Sequence, residues 1–150
     1  MVCLNHLFPQ HTSPNSPHSV SIFCHPSYFP KEKYPFTSYD ECFGTLLNSA
    51  EMHIVWDLYL MECGQGSNPL ASPLLGDLKG LPPHYIFVAG QDPMRDEGIA
   101  YARALKDAGV EGDIRVYPGV PHEFAEFEEL ETTGRFRRDL VEVVERMLRS

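Results

Sequence analysis

The sequence predicts an α/β domain in which strands and helices alternate, and three observations carry that prediction. Residues 85–89, YIFVA, form an apolar run bounded by Pro83 and Gly90, the pattern of a parallel strand covered on both faces. A helical stretch comes next, with Tyr101, Ala102, Leu105 and Ala108 on one face and Gly109 as a left-handed stop. A second strand, Ile114 to Tyr117, ends at Pro118 and Gly119, and Leu140, Val141, Val144, Met147 and Leu148 then line one face of a C-terminal helix. This βαβα order implies parallel strands joined by a right-handed crossover.

The earlier part of the chain is less regular. Residues 1–17, MVCLNHLFPQHTSPNSP, have three prolines and no period, which predicts a poorly ordered leader, with the folded domain spanning 18–150. Val20, Ile22 and Phe23 make a short strand stopped by Pro26, and the proline- and aromatic-rich PSYFPKEKYPFTSYDE reads as a long irregular loop. Asn48 and Glu51 form a capping box ahead of a helix from about Ser49 to Met61. Met52, Val55, Trp56 and Tyr59 share one of its faces, and the Gly-, Ser- and Pro-rich CGQGSNPLASP separates this helix from the alternating βαβα part.

Composition narrows the function. A chain of 150 residues is one domain by length, and 43% hydrophobic against 22% charged residues suits a globular protein. A net charge of −9 with no basic stripe argues against nucleic acid. Lys31 is the first Lys or Arg and no apolar run approaches a membrane span, so a cytoplasmic protein without a membrane span is expected. Cys3, Cys24, Cys42 and Cys63 contain no CxxC pair, so they read as free thiols, and neither a metal nor a cofactor is expected.

The loops after the two strands, GQDPMRDEG and GVPHEF, place Asp92 and His122 at neighbouring strand ends, thirty residues apart. There the carboxylate can accept from one imidazole nitrogen and leave the other as a base. Asp92 also suits a turn that starts a helix, and a lone histidine is commonly a surface or core residue. Asp96 and Glu97 read as helix-start charges and Arg95 as a local ion-pair partner. The acidic run Glu126, Glu128, Glu129 and Glu131 reads as a solvated face.

The stretch SNPLASPLLGDLKGLPPHYIFVAGQDPMRDEGIAYARALKDAGVEGDIRVYPGVPHEF resembles the C-terminal part of the α/β-hydrolase family related to hormone-sensitive lipase. In that family D-P-L-R-D-E-G carries the triad acid and Y-P-G-x-x-H-G-F the triad histidine, which map onto Asp92 and His122. The stretch KYPFTSYDE and the helix through WDLYL resemble the region after the family's sixth strand. The resemblance implies a partial α/β-hydrolase fold with about three parallel strands flanked by helices. Residues 18–24 would then be the sixth strand of eight, 85–89 the seventh and 114–117 the eighth. It also implies a carboxylic-ester hydrolase acting on a small-molecule ester once an N-terminal half completes it.

Two departures from the family stand out. The sequence has no G-x-S-x-G elbow and no H-G-G-G segment, so nucleophile and oxyanion hole are absent. Ser67, in GQGSN, is not the centre of an elbow, and Cys24 and Ser27 sit on none. Glu123 stands where the family usually has glycine, and is expected to crowd the site or to raise the pKa of His122 by its charge. Little or no activity is expected of this chain alone, which leaves a noncatalytic truncated relative or gene fragment, acting as a binding protein if at all, as the alternative. An open strand edge at residues 20–24 would favour a homo-oligomer.

Overall fold

The computed structural model describes residues 36–42, 46–63, 66–69 and 71–149. The expected leader and first strand lie outside these residues. Among the described residues six main elements run in order: α1 (Ser38–Glu41), α2 (Ser49–Cys63), β1 (His84–Gln91), α3 (Arg95–Asp107), β2 (Gly112–Pro121) and α4 (Glu131–Arg149). One-turn 3-10 helices at Pro73–Leu75 and Phe124–Glu126 sit between them. Among the described residues the architecture is a small parallel sheet, β1 beside β2, flanked by helices.

The alternating sides of β1 meet different helices. Ile86 points toward α3, where Leu74, Leu78, Tyr101 and Leu105 form an apolar cluster. Phe87 points the other way, into Ala89, Tyr117, Val120, Phe124 and Phe136, the last of these on α4. That aromatic group packs mostly edge to face, with Phe87 and Phe136 ring centroids 5.3 Å apart. Gly109, at φ 78°, ends α3 in the left-handed conformation that its sequence position predicts.

Four expectations need correction. β2 does not end at Pro118 and Gly119: Ala89 pairs with Tyr117 and Gln91 with Pro121, so Gly90 alone faces three residues of β2 across a bulge. Proline and glycine interrupt a ladder without ending it when the extra residues can loop out on an edge strand. In α4 the buried residues are Thr133 and Val143, whereas Val141 is 57% and Leu148 76% exposed. That helix is apolar around more of its circumference than two strands can cover. On α2 the capping box forms as expected, Asn48 N–H donating to Glu51 at 3.0 Å and Glu51 N–H to Asn48 at 3.1 Å. Met52 and Trp56 are buried, but Val55 is exposed together with Ile54 and Leu58, because Tyr39 and Ala71 cover only the opposite side. Finally, the stretch read as irregular contains α1, whose backbone is held by a carboxylate from α3.

Candidate active site

The bulge decides where the two strand ends lie. Because Gln91 and Pro121 are register partners, the next residues, Asp92 and His122, emerge side by side at the carboxyl edge of the sheet. The His122 Nδ1–H donates to Asp92 Oδ2 at 2.7 Å. A carboxylate can only accept, so the proton of that bond sits on Nδ1 and Nε2 is left as the acceptor of the neutral ring. Asp92 is 7% exposed, while the His122 side chain is 29% exposed. The carboxylate is thus shielded, and the imidazole can meet another molecule.

Two further bonds fix the carboxylate. Its Oδ1 accepts the Met94 N–H at 2.9 Å, and its backbone carbonyl accepts the Arg95 N–H at 2.9 Å. The turn therefore starts α3 and orients Asp92 at the same time. The hydrogen bond to Asp92 raises the His122 pKa above its ordinary value, burial opposes the rise, and the charges of Asp92 and Glu123 add to it. Glu123 acts in the expected direction. It also occupies φ 56°, a left-handed backbone that glycine adopts without strain.

The other charged residues of the loop are not all what their spacing suggests. Arg95 pairs with Asp96 at 2.8 Å, as a local partner should, but also with Glu41 at 2.6 Å and with the Gly90 carbonyl at 3.3 Å. Asp96 accepts the Ser38 N–H at 2.9 Å and the Thr37 hydroxyl at 3.2 Å. Burial works against its charge, yet Arg95, Ser38 and Thr37 together hold its carboxyl below the usual range. Glu97, like Asp96, stands in the first turn of α3 as expected of a helix-start charge, and it is buried there, 1% exposed. Ser38, fully buried, donates its hydroxyl to the Pro93 carbonyl at 2.7 Å and accepts the Asp96 N–H at 3.2 Å. Sequence reasoning missed this clamp because its partners lie 54 to 59 residues apart, beyond any local pattern.

No nucleophile faces the pair among the described residues. Ser67 is exposed, in the turn before Pro69. Cys42 is a buried thiol, in no disulfide, whose pKa is pushed up chiefly by that burial, the reverse of an activated thiolate. Cys24 and Ser27 lie outside the described residues. Among those residues no group of three or more His, Cys, Asp or Glu can hold a metal ion, and no helix is long and apolar enough to cross a membrane.

Parallel strands, helices on both sides and an acid–histidine pair at the carboxyl ends define the class as an α/β-hydrolase fold. A family model described as alpha/beta hydrolase fold matches residues 5–126, and the chain belongs to that family. It is 39% identical over 111 residues, 71% of its length, to an AB hydrolase superfamily protein of Schizosaccharomyces pombe, of which the match covers 32%. It is 46% identical over 83 residues to the carboxylic ester hydrolase LipN of Mycobacterium tuberculosis, a match covering 54% of this chain and 22% of that one. Among solved structures, vibralactone cyclase aligns with a TM-score of 0.76 at 34% identity, covering 83% of this chain and 37% of that one. A bacterial heroin esterase aligns at 0.70 and 32%, covering 76% and 38%. The chain thus spans about a third or less of the length of the curated relatives it matches.

Proposed function

We propose that Asp92 and His122 are the acid and base of a carboxylic-ester hydrolase site, completed by a segment that carries a serine nucleophile and oxyanion donors. The observation that carries this reading is the 2.7 Å hydrogen bond between a shielded carboxylate and a partly exposed imidazole at adjacent strand ends. In that role His122 Nε2 takes the proton of the attacking serine hydroxyl and returns it to the leaving alkoxide. Asp92 fixes the tautomer and stabilises the imidazolium that forms between the two steps. Small acyl esters are the substrate class, supported by relatives named as an ethyl acetate hydrolase of Pseudomonas putida and as the carboxylic ester hydrolase LipN. Without nucleophile and oxyanion hole the chain alone has negligible turnover, since loss of one triad member costs about 10⁴- to 10⁶-fold.

The test is hydrolysis of p-nitrophenyl acetate by the chain alone and by the chain co-expressed with the N-terminal segment of a relative containing G-x-S-x-G. The expected result is no turnover from the first and turnover from the second that His122→Ala abolishes. Turnover by the chain alone that depends on His122 would overturn the need for completion. A productive pair indifferent to His122→Ala would overturn the role of the histidine.

A second reading, a noncatalytic relative, is favoured by one observation: Glu123 holds a strained backbone and a negative charge next to the imidazole. Labelling of the co-expressed pair by a fluorophosphonate, blocked in His122→Ala, would exclude it.

A further inference from the structure

We propose that Ser38 is a positioning residue for the Asp92–His122 pair: its buried hydroxyl, supplied from 55 residues upstream, locks the turn that aims the carboxylate at the imidazole. Ser38 Oγ engages two backbone groups of residues 93–96. One is the Pro93 carbonyl, immediately after Asp92, and Ser38 Oγ donates to it at 2.7 Å. The other is the Asp96 N–H, which donates back to Ser38 Oγ at 3.2 Å. A single hydroxyl therefore bridges the two sides of the turn. Ser38 and Pro93 are both fully buried, so water cannot replace the bridge cheaply.

The serine is itself held from two directions. Its N–H donates to Asp96 Oδ2, and the Arg95 guanidinium ties Asp96 to Glu41 at the end of α1. The same guanidinium reaches the Gly90 carbonyl, two residues before Asp92. The clamp thus grips the loop on either side of the carboxylate while leaving its Oδ1 to Met94 N–H and its Oδ2 to His122. A turn free to open by a few tenths of an ångström would keep the fold and lose the short bond to the ring. The charged groups that shift His122 most are Asp92 and Glu123, and Ser38→Ala changes neither them nor Arg95.

The inference rests on Asp92 and His122 acting as acid and base, but its readout needs no turnover, so its failure leaves that reading standing. The measurement is a ¹³C/¹⁵N NMR titration of His122 in the whole chain, together with its Nδ1–H resonance. In Ser38→Ala the His122 midpoint should fall by at least about 0.5 pH unit toward the unperturbed value, and the Nδ1–H signal should broaden. Leu105→Ala, which removes core volume under α3 without touching the clamp, should lower Tm and leave the midpoint in place. Arg95→Gln serves if Ser38→Ala does not fold. Removing a positive charge by itself would raise the midpoint, whereas opening the clamp lowers it. A folded Ser38→Ala with an unchanged midpoint, or a raised midpoint in Arg95→Gln, would overturn the proposal.

Discussion

Glu123 shows how one residue couples backbone strain to the titration of another. At φ 56° a β-carbon crowds the following backbone, which costs about 1 kcal/mol relative to glycine. The raised His122 pKa, caused first by its bond to Asp92 and lastly by Glu123, means that the folded chain binds that proton more tightly than the unfolded one. The stability so gained is full below the unfolded pKa of about 6.5 and is lost as pH rises through the folded value. Glu123→Gly should therefore raise Tm by more in mild alkali, where only strain relief acts, than in mild acid, where the attraction to imidazolium is also lost. Thermal melts on either side of the His122 midpoint check this, and the NMR midpoint itself should drop.

Among the elements, the β2 bulge does most to assemble the site. At Gly90 a β-carbon would stand 2.8 Å from Pro118 Cα and 2.9 Å from the Tyr117 carbonyl oxygen, both main-chain atoms that cannot swing aside. Gly90→Ala should therefore destabilise the chain by about 1–3 kcal/mol and displace His122 from Asp92. Circular dichroism melts and loss of the Nδ1–H resonance would register the two effects separately. The bulge was not legible in the sequence, because Pro118 and Gly119 are equally good signals for a strand's end. The capping box at Asn48 and the stop at Gly109 were legible, since both depend on residues within one turn of each other. The Asp92–His122 pair was legible as well, because a strand, a helix and a strand in series fix which loops become neighbours. Ser38 was not: only the folded chain reveals which distant segment lies over that turn.

For the whole molecule, the pattern of exposure is the main clue. Val141, Val144 and Leu148 lie open on α4, and Ile54, Val55 and Leu58 on α2, while among the described residues β1 pairs only with β2. Apolar faces of this kind drive association when nothing covers them, and an open strand edge offers a template for another strand. The purified chain should accordingly show concentration-dependent mass in light scattering. The pair Val141→Glu and Leu148→Glu should reduce it without lowering Tm, because neither side chain is packed against the sheet. This is also why the stripe read from sequence periodicity reaches further round α4 than the sheet covers. A hydrophobic stripe records every surface a helix is meant to bury, and β1 and β2 supply only one of them.

The adjacency of Asp92 and His122 has a consequence for inheritance. Both side chains, the helix between them and the bulge that aligns them come from one uninterrupted stretch between His84 and His122, so the pair travels as a cassette. Recombination upstream of Phe36 would pass on Asp92, His122 and Ser38 together. A duplicated or rearranged gene that keeps this stretch keeps the hydrogen-bonded carboxylate and imidazole with it.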